Sequence, residues 1–290
     1  MKHSILSIFF ALVFAATTFA AVPLDTVRER IAGTDHLTMM FTVQKGTKIR
    51  EGHYESYHPN GQVAHSGTYA NGKLNGPWKS FFPNGKVWKD LTYKDDEEEG
   101  LAREWDTKGT LLYEKNYKAG EYEGLQKTYG EDGSPESEET WSAGKLNGVV
   151  RLWENKILTR ELWYKDGRLD GNLKIWWPNG KPKAEMAFQD GRPNGMVRNY
   201  DDAGVILQEG EYFKGAKNGK QRLFEKGVMI HEEEWALDQC KTGCATPSSS
   251  SSARSVSAPA TSSSANKPSS SATVQSSSSL ASAKSVAPAK

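Results

Sequence analysis

Few segments of this chain carry residues whose types and spacing suit catalysis or metal binding. His231-Glu232-Glu233-Glu234-Trp235 opens like a zinc-protease helix, where two histidines four residues apart hold the metal and the glutamate activates water. Trp235 stands where the second histidine belongs, so the ligand pair is incomplete. His53, His58 and His65 share one short segment, a spacing that admits a metal site across a hairpin, yet no repeated acidic partner accompanies them and they read as surface residues. Asp95-Asp96-Glu97-Glu98-Glu99 offers adjacent carboxylates to calcium, but a calcium loop alternates its ligands, and an unbroken like-charge run reads as a solvated connection.

Nucleophilic catalysis fares no better, because no Gly-x-Ser-x-Gly turn is present and no segment concentrates nucleophile, base and acid. The expectation is a protein with no catalytic residue, no cofactor and no metal. Cys240 and Cys244 are a lone pair, better suited to a disulfide than to a metal site, which needs further ligands; two free thiols are the alternative. Bonding them requires the backbone to curl between them, as in one helical turn.

The first twenty residues read as a signal peptide: Lys2 and His3, an apolar run from Ile5 to Ala16, then Thr18-Phe19-Ala20. That run is shorter than the roughly 20 residues a spanning helix needs, and no second apolar stretch follows. The expected product starts near Ala21, has no transmembrane span and is exported to the periplasm, the outer surface or the medium. No cysteine near the cleavage site supports a lipid anchor. With 37 basic and 36 acidic residues spread along the chain, no long-range field draws it onto nucleic acid.

What must position any functional residue is a repeat. Gly52, Gly76, Gly100, Gly124, Gly148, Gly171, Gly195 and Gly219 recur every 24 residues, with one step of 23, and each opens a unit. Counting that glycine as position one, position six is aromatic in all eight units: Tyr57, Phe81, Trp105, Tyr129, Trp153, Trp176, Tyr200 and Phe224. Position eighteen, one earlier in two shortened units, is aromatic too: Tyr69, Tyr93, Tyr117, Trp141, Tyr164, Phe188, Tyr212 and Trp235.

Between the two aromatics falls a turn such as Pro59-Asn60-Gly61 or Pro178-Asn179-Gly180, and a second turn such as Asn71-Gly72 or Asp190-Gly191 closes the unit. The intervals are too short for helices, so each unit is two strands and two turns. The reading is an all-β, elongated and twisted antiparallel meander of about sixteen strands. Burying one aromatic ring yields roughly 1.5–3 kcal/mol, too little for a unit to fold alone, so the units must stack and the ends need caps.

Residues 21–51 are the expected N-terminal cap, with a short helix over Asp25–Ile31 ending at Gly33 and a strand over Leu37–Gln44. Residues 52–245 hold the eight repeats and a C-terminal cap. Residues 246–290, rich in Ser, Ala and Pro, cannot bury a core and are expected to be disordered.

The unit Gly76-Pro-Trp78-Lys-Ser-Phe81-Phe-Pro-Asn84-Gly85-Lys86-Val87, continued to Tyr93 and Gly100, resembles the MORN-repeat variant of proteins labelled YwqK-type antitoxins. The resemblance covers about Gly52 to Trp235. Asp96 and Asn155-Lys156 depart from it where a turn glycine is usual, and Pro135 and Pro182 interrupt second strands. It implies a long antiparallel sheet that serves protein or membrane contacts and no chemistry. Export separates such a protein from a cytoplasmic toxin, but remains compatible with immunity against an exported one.

Two surface features follow from the repeat. Adjacent strand residues point to opposite faces, so one ring of Trp163-Tyr164 and of Trp176-Trp177 should be exposed, and Trp163 and Trp177 are the candidate contact residues. Position four is basic in seven units, at Lys79, Arg103, Lys127, Arg151, Lys174, Arg198 and Arg222. That row reads as a solubilising edge more than as a site for an anionic polymer. The functional expectation is a non-catalytic scaffold for a protein partner. The competing expectation is a module for cell-wall polysaccharide, which would present a flat exposed ring in every repeat.

Overall fold

In a computed structural model the described residues are 22–244, so the expected signal peptide and the Ser-rich tail lie outside them. Among the described residues there are 21 strands and no helix, from Leu24–Arg30 to Gln239–Thr242, and every pairing between them in the one open sheet is antiparallel. The tally exceeds the two strands per repeat for identifiable reasons. Leu24–Arg30, Leu37–Gln44 and Gln239–Thr242 extend the meander at its ends, and Glu97–Glu98 and Glu121–Tyr122 are short pieces split from the strands that follow.

The helix expected over Asp25–Ile31 is instead the edge strand Leu24–Arg30, with Val27 opposite Phe41 and Arg28 opposite Met40. A seven-residue helix closes few hydrogen bonds, whereas a strand gains a full ladder against Leu37–Gln44. Gly33, at φ 77°, makes the hairpin turn between the two strands rather than ending a helix. The cysteine pair is also not on a helical turn. Cys240 lies in the strand Gln239–Thr242, Gly243 turns the chain at φ 73°, and Cys240–Cys244 is a disulfide.

The repeat glycine is explained by its backbone. All eight position-one glycines have positive φ, from 77° at Gly100 to 127° at Gly148, within a bulge that leaves one strand longer than its partner. Each lies directly opposite a position-eighteen aromatic, as in Gly76 with Tyr93 and Gly171 with Phe188, so a ring covers the backbone that lacks a side chain.

Asp95-Asp96 and Asn155-Lys156 adopt the same paired left-handed conformation as Asn71-Gly72, with φ of 53° and 74°, 51° and 68°, and 51° and 85°. Asp and Asn visit this region more readily than other side chains, so a glycine-free turn survives. Pro135 and Pro182 do not interrupt strands; they are the first residues of Pro135–Ser142 and Pro182–Gln189, where the missing amide costs little.

The turns are stitched to one another along both rims of the sheet. On one rim Asn60 Nδ2 donates to Pro83 O at 2.7 Å, Asn84 Nδ2 to Thr107 O at 3.1 Å and Asn179 Nδ2 to Asp202 O at 2.7 Å. On the other, the amide of Gly72 donates to Arg50 O and that of Gly191 to Leu169 O. The residue preceding the repeat glycine serves this second rim in five units: Glu51, Glu99, Glu123, Asp170 and Asn194 accept from the amides of Asn71, Ala119, Ala143, Asp190 and Lys214. Each such bond is worth roughly 0.5–1.5 kcal/mol net, and each ties one repeat to the next.

Candidate binding face

The two faces of the sheet differ. Position three and its cross-strand partner form a row through the repeats, Tyr54, Gly67, Trp78, Leu91 and Ala102 in the first units and Val150, Leu162, Leu173, Met186 and Val197 later. This row is the core; Leu173 is 2% exposed. In the first units its rings stack, Tyr54 to Trp78 at 5.4 Å, and in the later ones it is aliphatic with Phe188 beside it. Gln126, also buried, breaks the apolar row, and its amide satisfies the backbone of Asn116 through bonds of 2.8 and 3.0 Å.

Of the two aromatic rows, only position eighteen packs on this core: Tyr69 and Tyr93 lie against Trp78, and Tyr164 and Tyr212 against the aliphatic cluster. Position six points to the other face, as alternation from position three requires, and is half-buried there. Tyr57 donates its hydroxyl to Glu55, Tyr129 to Glu114 and Tyr200 to Glu185. The two aromatic rows therefore do not share one core: position six is an odd number of residues from positions one and three and lies two residues beyond position four, so strand alternation puts it on the charged face.

The opposite face carries the basic row, and it is not a field of free cations. Position four stands in register with an acidic position fifteen: Lys79 with Asp90, Arg103 with Glu114, Lys127 with Glu138, Arg151 with Glu161, Arg198 with Glu209 and Arg222 with Glu232. All six pairs are ion pairs, from 2.7 Å for Arg222–Glu232 to 3.7 Å for Lys127–Glu138. Arg151 also reaches Glu138 at 3.6 Å, and Arg222 also reaches Glu209 at 2.6 Å. The result is a row of alternating charge crossing the repeats.

The guanidinium of Arg222 holds the Glu209 carboxyl below its ordinary range, and that of Arg103 does the same for Glu114. The Glu55 carboxylate, by accepting its hydroxyl, pushes Tyr57 up to about 12. An anionic polymer would have to break these pairs, so the row discriminates against polyanions.

Beside the charged row runs a more apolar strip formed by positions two and seventeen. Position seventeen is Thr68, Thr92 and Thr140 in three units, and Thr42 occupies the equivalent place before the first. Thr42 donates its hydroxyl to Glu51 O, Thr68 to Asn75 O and Thr140 to Val149 O, closing carbonyls opened by the bulge. In the fifth unit this place holds Trp163, which has no hydroxyl to give and leaves its indole 44% exposed beside Val149. Leu101 and Leu125, also exposed, hold position two of the third and fourth units.

Trp177 is placed differently. It is half-buried at a hairpin turn, donates Nε1 to Tyr200 O at 3.3 Å and stacks beneath the Lys183 ammonium at 4.2 Å. Alternation fails for Trp176-Trp177 because the strand ends at Trp176 and Trp177 opens the hairpin turn, and both rings are half-buried. Among the described residues Trp163 and Phe213 are the exposed aromatics.

The remaining sequence candidates are dispersed. His53 pairs with Glu55 at 3.2 Å on the charged face, His58 Nε2 lies 2.8 Å from Phe81 O, and His65 contacts Ser80 on the core face. The Ser80 hydroxyl and His65 Nδ1 are 2.9 Å apart, but Ser80 is 4% exposed and no carboxylate orients the imidazole, so no substrate carbonyl can reach the pair. Burial lowers the His65 pKa. The acidic run is split: Asp96 accepts from the Leu74 amide, Glu99 from Ala119, and Glu98 turns toward the core face. His231 pairs with Glu233 at 3.2 Å within one strand, and no group of three metal-ligating side chains occurs among the described residues.

A cleft of about 830 Å3 lies where the fifth unit's first turn shrinks to Asn155-Lys156 beside the fourth unit's turn. Its carboxylate Asp132 is held far below the ordinary range by Ser134 and Lys156.

Five stretches match the MORN repeat variant family: residues 50–71, 74–95, 98–119, 122–143 and 169–190. No curated protein sequence matches the chain. Among solved structures, a chain of the "Crystal Structure of TcdB2-TccC3-Cdc42" aligns at 11% identity over 73% of this chain and 14% of that one, with a TM-score of 0.20, too low to carry an argument. The register of glycine, aromatic and turn observed in these units agrees with the matched stretches: five of the eight units are similar to the MORN repeat variant.

Proposed function

We propose that this chain is a non-catalytic, exported scaffold that recognises a protein through the strip around Trp163. MORN-type repeats are binding scaffolds for proteins or membranes, and the finer reading rests on one observation. At position seventeen, where threonines close a backbone carbonyl, the fifth unit gives up that bond and exposes an indole instead. An exposed tryptophan beside Val149, with the Arg151–Glu161 ion pair on the same two strands, is the composition of an interface hot spot with a polar surround. Among the described residues, exposed rings at Trp163 and Phe213 alone, rather than one per repeat, favour a protein over a polysaccharide ligand. Immunity against an exported toxin is one form of this reading.

The test immobilises the wild-type chain and the Trp163→Thr variant in parallel and offers each an envelope-protein extract and wall polysaccharide. The reading expects a discrete protein held by wild type and lost with Trp163→Thr. Polysaccharide retention, or identical proteins on both columns, overturns it.

A further inference from the structure

The basic row has one member that the fold leaves unpaired, and it lies beside Trp163. Six of the seven position-four cations meet the carboxylate opposite them. Lys174, the seventh, is exposed and makes no ion pair or hydrogen bond with any described residue. Glu161 and Glu185 stand opposite it on the two neighbouring strands. Both are engaged elsewhere: Glu161 accepts from Arg151 Nε at 2.9 Å, and Glu185 from the Tyr200 hydroxyl at 3.1 Å.

Lys174 shares its face of Arg168–Trp176 with Asn172, whose amide is exposed and likewise without a partner among the described residues. On the adjacent strand Ile157–Lys165, Trp163 packs its Cβ against the bulge, where a methyl group built on Gly171 would come within 2.9 Å of it. The indole N–H of Trp163 has no acceptor among the described residues, whereas those of Trp141 and Trp177 are given to Glu139 and to Tyr200 O. An exposed ring is thus bordered by an ammonium, an amide and its own N–H, and the fold uses none of these donors. Two of the three, the ammonium and the indole N–H, can only donate.

Such a patch takes an acceptor, and the charge-assisted acceptors for an ammonium are carboxylate and phosphate. Glu161 and Glu185 decide between them, because each lies one strand spacing, about 4.8 Å, to either side of Lys174. A second negative charge on the ligand would meet one of these carboxylates. A phosphate chain or an acidic run is therefore repelled, and a single carboxylate is admitted.

We infer that the Trp163 surface recognises a protein segment in which one isolated Asp or Glu stands beside an apolar side chain. The carboxylate seats on Lys174 and Asn172, and the apolar group lies on the indole. This rests on the reading that Trp163 meets a protein and adds the chemistry of what it meets. In an extended segment, side chains two places apart share a face and are separated by roughly 6.6 Å, the spacing of Asn172 and Lys174 along their own strand.

The test titrates short synthetic peptides into the full chain and follows the indole N–H of Trp163 by NMR, its signal identified by its loss in Trp163→Thr. Each peptide carries a leucine and, two places on, an aspartate, an asparagine or a lysine. The aspartate peptide should shift the Trp163 signal saturably and bind about tenfold more tightly than the asparagine peptide. Lys174→Gln, with its fold checked by circular dichroism, should erase that difference. Lys174→Arg should keep it, and Lys174→Glu should turn the preference to the lysine peptide. Equal binding of the aspartate and asparagine peptides, a preference that survives Lys174→Gln, or no response at Trp163 overturns the inference. The scaffold reading fails separately: a protein held on the column through Trp163 but indifferent to Lys174→Glu leaves that reading standing and removes this one.

Discussion

Gly67 lies beneath the indole of Trp78: a methyl group built on Gly67 would come within 2.1 Å of Trp78 Cε3. The two residues are cross-strand partners in the core row, and the ring occupies the space a side chain would take. Gly67 has no positive φ, so steric volume alone dictates this glycine. Gly67→Ala should cost about 1–3 kcal/mol by overpacking, and Gly67→Ala with Trp78→Leu should recover part of it. Chemical denaturation of the four proteins of this cycle measures the coupling; additive effects would contradict the contact.

Leu173 is the most buried apolar side chain of the aliphatic cluster. Leu173→Ala should cost about 2–5 kcal/mol, whereas Trp176→Leu, on the half-buried row, should cost less. Urea midpoints at equal m-value decide this, and the reverse order would show that position six is the core after all.

Asn84 links its turn to the next through Nδ2 to Thr107 O and braces its own loop by accepting from the Lys86 amide. Asn84→Ala should lose about 0.5–1.5 kcal/mol for each bond. Hydrogen exchange should quicken in the turns of both the second and third units. Loosening confined to the second would mean that the rim does not transmit stability.

Two sets of carboxylates give the pH dependence opposite signs. Glu114 and Glu209, held low by Arg103 and Arg222, lend stability that is complete above their ordinary value of 4.5 and is lost as pH falls through their lowered folded values. Glu98 is the reverse: burial raises it, so its charge costs stability at neutral pH and that cost is relieved as pH falls through its raised value. Glu98→Gln should therefore raise the melting temperature at pH 7, with the gain shrinking toward pH 4.5. A gain that persists unchanged in acid would assign the effect to something other than the charge.

The repeat was legible because its causes are local and periodic. Gly52 through Gly219 mark a backbone conformation, and the Asn-Gly turns mark hairpins, so strand order followed from spacing. Position three was not legible by residue type: Tyr54, Trp78, Gln126, Val150 and Leu173 share a place in the pleat and no chemical character. A missed signal was present beside each repeat glycine, where Glu51, Asn75, Glu99, Glu123, Asn147, Asp170, Asn194 and Asn218 all carry a side-chain oxygen. The charge row was seen only by its cations, because its carboxylates sit eleven residues on and become neighbours only when the hairpin closes, as in Lys79 and Asp90. Trp163 could be placed on a face by alternation, and Trp177 could not, because the strand ends at Trp176.

The central claim is that Trp163 is spent on a partner rather than on the fold. Trp163→Thr restores the residue that closes the carbonyl elsewhere in the repeat, so it separates the two roles. The account predicts an unchanged or higher melting temperature together with loss of the captured partner, read on the same preparation. A lower melting temperature with the partner still bound would make Trp163 a structural residue and contradict the account.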